Sequence, residues 1–170
     1  MMKKTFLISL IFSSFSVFAH GQMAFVDTKY ILNRMPDYQD SVKKINRISA
    51  EWQKEIDDKQ IILDKMVNDF ERDQALLTDE LTKKRTADIF IHEKEVRDLQ
   101  RLRFGFEGDQ FKLRQEMLKP MEDRVYGAAR TVAIRMSYSI VLDRSEGITV
   151  MFYKSGLDIT DQVEKELGMR

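Results

Sequence analysis

Cysteine is absent from the 170 residues of this chain, so neither disulfides nor thiolate metal centres can stabilise it. Histidine occurs only at His20 and His92. Any Ser-His-Asp or Cys-His arrangement would have to be built on His92, which sits between Ile91 and Glu93 and lacks spacing such as H-E-x-x-H. Glycine numbers seven, and the pair Gly105 and Gly108 follows no strand, so no phosphate-cradling loop is present. Acidic and basic residues balance at 28 each, which leaves no basic domain for nucleic acid. These scarcities argue against an enzyme, a resident cofactor or metal, and a nucleic-acid partner.

Long apolar runs are also missing after the first twenty residues. The chain opens on the basic Met1-Met2-Lys3-Lys4, and an apolar and hydroxyl-bearing run continues from Phe6 to Phe18. Small residues then allow cleavage after Ala19 or after Gly21, which makes 1–21 a secretory signal peptide. An uncleaved N-terminal anchor is the alternative, although a bilayer span needs about 20 apolar residues. No cysteine follows the run, so a lipid anchor is excluded. The reading is an exported, periplasmic protein. Loss of Lys3 and Lys4 would shift the formal charge from zero to about −2.

Proline is the scarcest punctuation, present only at Pro36 and Pro120. Between them apolar residues recur at helical spacing on a densely charged background. Tyr38, Val42, Ile45, Ser49, Trp52, Ile56, Lys59, Leu63, Met66, Phe70, Asp73 and Leu77 step by alternate fours and threes, a heptad seam with polar interruptions. A returning register runs through Val96, Leu99, Leu102, Phe106, Leu113, Met117, Met121, Val125, Ala128 and Val132. The spacing predicts two long antiparallel helices over 36–120, each reaching roughly 60 Å at 1.5 Å per residue. The polar stretch from Thr78 to Ala87 is the expected tip, and Pro120 the expected joint where the arm enters a body.

The body, 22–35 with 121–170, is short of material. Met23 to Asp27 reads as a strand and Thr28 to Met35 as a short helix. Tyr138 to Asp143 alternates as a second strand, and Ile148 to Tyr153 returns as a third. Asp158-Ile159-Thr160-Asp161 supplies caps and early acids for a last helix. Phe25, Val26, Ile140, Leu142, Ile148, Val150 and Phe152 are the candidate oligomerisation residues, because so small a core asks for self-association. The fold class is α+β, mostly α: a long helical hairpin on a small strand-containing body.

The Phe25-Val26-Asp27 strand, the Ile31-Leu32 to Pro36-Asp37-Tyr38 entry and Leu118-Lys119-Pro120 resemble the Skp/OmpH family of periplasmic chaperones. So does the closing run from Tyr138-Ser139-Ile140-Val141-Leu142-Asp143 to Asp158-Ile159-Thr160, and the order covers essentially everything after the signal. The resemblance implies a jellyfish-like homotrimer whose tentacles enclose unfolded outer-membrane proteins without ATP. Such a holder needs apolar groups beyond its own seam. Ile61, Ile62, Val67, Ile89, Phe90, Ile91, Phe104 and Phe111 are the candidates, each able either to line a cavity or to widen the seam.

Two segments carry further readings. Gly105 and Gly108 either soften the arm or are tolerated within a helix held by its partner. Lys83-Lys84-Arg85 near the tip either meets anionic lipid or is a solvated turn, being shorter than the clusters that recognise lipid. The chain is near neutral where the family is often basic, so client capture is expected to lean on apolar contact. The rival function is an exported coiled-coil adaptor or spacer with one dedicated envelope partner.

Overall fold

The structure, a computed structural model, describes residues 22–145, 147 and 149–169. Residues 1–21, expected as a signal peptide, and Ile148, expected in the third strand, lie outside the described residues. The chain divides into two compact units, one formed by 22–27 with 128–169 and the other by 28–127.

The larger unit is a helical hairpin. After the short helix α1 (Thr28–Arg34), Met35 adopts an extended conformation and Pro36 starts α2 (Pro36–Asp73), where its missing N–H is no loss. A 3₁₀ turn at Gln74–Leu76 reverses the chain into α3 (Asp79–Phe104), and α4 (Asp109–Arg135) comes after a four-residue interruption. Every seam position from Tyr38 to Leu77 is buried or half-buried, with Ile45, Ile56 and Leu63 buried. Ile56, Leu63 and Val96 form a core cluster, against which Val67, Ile89 and Leu99 pack. The expected heptad seam is therefore present along the whole of α2.

The reversal falls earlier than expected. Thr78 is already the N-cap of α3, its hydroxyl accepting from the Leu81 amide at 3.4 Å, and Asp79 and Glu80 occupy the first turn. Thr-Asp-Glu is thus a helix start, where its polarity suggested a turn. Lys83, Lys84 and Arg85 lie within the helix, and Arg85 pairs with Asp73 at 3.5 Å.

The returning register needs a larger correction. Leu102 and Phe106, expected in the seam, are 54% and 97% exposed. The helix stops at Phe104, Glu107 takes a left-handed backbone (φ 53°), and a new helix begins at Asp109. A Cβ on Gly105 would lie 2.4 Å from the Arg101 carbonyl oxygen, and one on Gly108 2.8 Å from that of Leu102. The glycines therefore mark a built interruption, not a weakness carried inside a continuous helix. Past it the register resumes, with Met121, Val125, Ala128 and Val132 buried. Pro120, the expected joint, lies inside α4, which continues to Arg135. Its neighbours Leu118 and Met121 are buried while Pro120 itself is exposed, so the ring sits on the outer face of the helix.

In the smaller unit β1 (Gln22–Val26) pairs in parallel with β2 (Tyr138–Asp143), with Met23 opposite Ile140 and Phe25 opposite Leu142. Parallel pairing needs a crossover connection, and here residues 27–137 supply it. The other side of β1 is also used: Ile159 N–H donates to the Phe25 carbonyl at 2.8 Å, and α5 (Thr160–Glu166) starts immediately after. Ala24, Val26, Val132, Ile159 and Val163 are buried in this unit. The third strand expected at Ile148 to Tyr153 is not formed over 149–153, where the backbone joins no ladder. A β-rich run becomes a strand only beside a partner edge, and here the Tyr153 side chain is held instead. Its hydroxyl accepts from Arg144 at 2.8 Å, and its ring lies 5.1 Å from that of Phe25.

Candidate functional site

A hairpin that consumed all its apolar residues in its own seam would offer nothing to bind. This one does not. Ile61 and Ile62 on α2 are 65% and 55% exposed, and Phe90 and Ile91 on α3 are 60% and 53% exposed. Adjacent helical residues point about 100° apart. Phe90 and Ile91 therefore fall on opposite flanks of the α3 seam marked by Ile89, Val96 and Leu99, and Ile61 points away from the α2 seam. Both flanks carry large apolar groups. Charged residues surround them, including the Lys59–Glu95 pair at 3.4 Å and Lys94–Asp98 at 2.6 Å.

The other sequence candidates divide. Val67 and Ile89 belong to the seam, packed against the Ile56–Leu63–Val96 cluster. Phe111, on α4, is 47% exposed. Phe104 is partly occupied, its ring edge-on to Trp52 with centroids 6.4 Å apart. Beside that pair the Arg103 guanidinium lies over the Trp52 ring, 5.1 Å from its centroid. A single register carried through 102–106 hides the most exposed aromatic of the arm, Phe106. Its signal is in the sequence: two glycines three apart reset the phase of a helix.

In the smaller unit the candidate self-association residues also separate by environment. Phe25 and Val26 are buried, Leu142 and Val150 half-buried, and Ile140 and Phe152 are 50% and 83% exposed. Met151 at 96% and Ile134 at 69% join them as exposed apolar groups that the strand pattern does not single out. Among the described residues β2 pairs only with β1, so its other edge carries no ladder partner. Arg144 gathers the loop ends, with Nη2 at 3.2 Å from Asp158 and 3.7 Å from Asp27. Burial disfavours the charged Asp158. The hydrogen bonds from the Thr160 hydroxyl and amide, with Arg144 and Tyr153 close by, outweigh that and hold its carboxyl below the usual aspartate range.

Among the described residues no cluster of His, Cys, Asp or Glu could hold a metal, and no helix is long and apolar enough to cross a membrane. His92 Nδ1 lies 3.6 Å from Glu95, an i, i+3 surface pair. The surface on offer is apolar, dispersed and carried by an elongated helix pair.

The sequence profile of the family described as Outer membrane protein (OmpH-like) matches residues 22–167. The chain belongs to the OmpH-like family. Its fold is similar to a crystal structure from Caulobacter crescentus CB15, of a protein assigned as an OmpH-like outer membrane chaperone. That likeness has a TM-score of 0.63 at 15% identity and covers 88% of this chain and 85% of that one. No curated protein matches.

Proposed function

We propose that this OmpH-like protein is an ATP-independent holding chaperone of the periplasm that encloses unfolded outer-membrane proteins and prevents their aggregation. The observation that carries this reading is the hairpin surface: Ile61, Ile62, Phe90 and Ile91 stay exposed although the seam beneath them is complete. An unfolded barrel strand presents alternate apolar side chains without fixed spacing. Many weak apolar contacts on both flanks of an arm suit such a client, and they permit release. The near balance of acidic and basic residues makes apolar contact, not electrostatic capture, the main source of affinity, so holding should depend little on salt. No cofactor and no catalysis enter this mechanism.

Enclosure asks for more than one arm, and we assign the second requirement to self-association through the small unit, as a homotrimer. The edge of β2 that carries no ladder partner among the described residues, the 149–153 segment outside any ladder and the exposed Ile140, Met151 and Phe152 support that assignment. A sheet edge without a partner, in a chain that also carries a β-rich segment outside any ladder, suits pairing of strands between copies. Export rests on the 1–21 segment.

The experiment is dilution of a urea-unfolded outer-membrane barrel protein into buffer while light scattering is monitored. Near-stoichiometric protein without nucleotide should suppress the scattering. No suppression across several barrel clients would overturn the reading and favour an adaptor with one native partner.

A further inference from the structure

The interruption at 105–108 is one-sided. Opposite it α2 runs unbroken from Pro36 to Asp73, and residues on that helix grip both sides of the break. Glu55 accepts from Arg103 Nη2 at 3.2 Å, at the end of α3. Ser49 accepts from Gln110 Nε2 at 3.1 Å, at the start of α4. Arg103 closes the gap itself, donating from Nη1 to Asp109 at 2.6 Å. Its guanidinium rests on Trp52, and its Nε is buried without a hydrogen-bond partner. Arg103 and Asp109 are only 24% and 27% exposed, unlike most ion pairs along the arm.

We propose that 105–108 is an elbow in the returning helix and that Arg103 is its latch, fixing how α4 stands against α2. Three observations converge on this. The break is built, because Gly105 and Gly108 leave no room for a Cβ against the Arg101 and Leu102 carbonyls. One side chain contacts both helices that flank it and also the helix that splints it. Finally, few backbone bonds cross the break, the links being Gly105 N–H to Arg101 O, Gly108 N–H to Gly105 O and Lys112 N–H to Gly108 O. With the latch engaged the Trp52 face is covered. With it released α4 can part from α2, and Trp52 joins Phe104 as available aromatic surface. The consequence for clients, an arm that widens for larger ones, rests on the chaperone reading; the elbow does not.

The absence of cysteine allows spin labels to be placed cleanly. Labels at the exposed positions 84 on α3 and 114 on α4 report the elbow by double electron–electron resonance, with labelled chain diluted in unlabelled. Labels at positions 44 and 65, both on α2 and about 30 Å apart at 1.5 Å per residue, serve as the reference. Arg103→Lys, which keeps the charge but loses the planar fork, should broaden the 84–114 distribution severalfold and leave the 44–65 distribution unchanged. Glu55→Gln should act the same way to a lesser degree. Arg103→Ala should act most strongly, and if it unfolds the arm the other two variants still decide. An 84–114 distribution as narrow in Arg103→Lys and Glu55→Gln as in the natural chain, with helicity retained, would overturn the elbow. Scattering assays on the same variants separate the two readings: a moving elbow with no holding of any client discards the chaperone, not the latch.

Discussion

Asp158 accepts twice from Thr160, from the amide at 2.9 Å and from the hydroxyl at 2.6 Å. The same hydroxyl accepts from the Asp27 amide at 3.0 Å, so one side chain joins the start of α5 to the end of β1. Thr160 is 5% exposed, and no water can replace the lost oxygen in a Thr160→Val variant. The substitution should cost about 1–3 kcal/mol, the penalty for a buried donor left unpaired. Urea midpoints of the two proteins measure it. Equal midpoints would show that the β1–α5 junction does not depend on this bond.

Acid should weaken the same junction. The folded carboxyl of Asp158 titrates below its unfolded value. Its contribution is therefore fully present above the unfolded value, about pH 4, and is lost as pH falls through the lower folded value. The stability gap between the natural chain and Asp158→Asn should be constant from about pH 7 to 5 and close as the pH drops below about 4. A gap that instead grew on acidification would mean the carboxyl is not held in its charged form.

Two left-handed residues give a test whose sign is unusual. Glu107 has φ 53° and Ser137 φ 58°, a conformation that costs a residue with a Cβ about 1–2 kcal/mol. Helix propensity alone says that a further glycine beside Gly105 and Gly108 should destabilise. With these backbones, Glu107→Gly and Ser137→Gly should each stabilise by a few tenths to about 1 kcal/mol, the relief of strain less the glycine's chain entropy. Thermal or urea unfolding reads the sign directly. Loss of stability in Glu107→Gly would mean that the segment is helical in solution.

The α2 seam is legible in the sequence because a sustained period survives a few polar exceptions: Ser49, Lys59 and Asp73 hold seam positions as half-buried residues. The pattern misleads where one period is carried across a reset. Leu102 and Phe106 continue the register on paper, but the turn between Gly105 and Gly108 rotates α4 relative to α3. At Thr78-Asp79-Glu80 polarity suggests a turn, while the order, cap then acids, is the stronger signal. The third strand fails for another reason. Val150 and Phe152 have strand chemistry, yet a strand is a relation between two segments, and residue chemistry alone does not say whether a partner edge is in reach. The candidate surface is legible at Ile61, Ile62, Phe90 and Ile91. Val67 and Ile89 are not separable from it by spacing, because seams often run wider than two positions in seven.

That division yields the sharpest test of function. Ile56 is 2% exposed and Ile61 is 65% exposed, five residues apart on one helix. Ile56→Ala should cost about 2–4 kcal/mol by opening the seam, and Ile61→Ser less than about 0.5 kcal/mol. Replacing Ile61, Ile62, Phe90 and Ile91 together by serine should leave helicity and self-association unchanged while lowering the affinity for an unfolded barrel protein severalfold or more. Each loses apolar surface whose burial is worth roughly 25 cal/mol per Å² when a client covers it. Val67→Ala with Ile89→Ala should do the reverse, lowering the unfolding midpoint while intact protein still holds client. If the serine variant held client as well as the natural chain, the arm flanks would not be the binding surface. Attention would then pass to Phe106 and Phe111 beside the interruption.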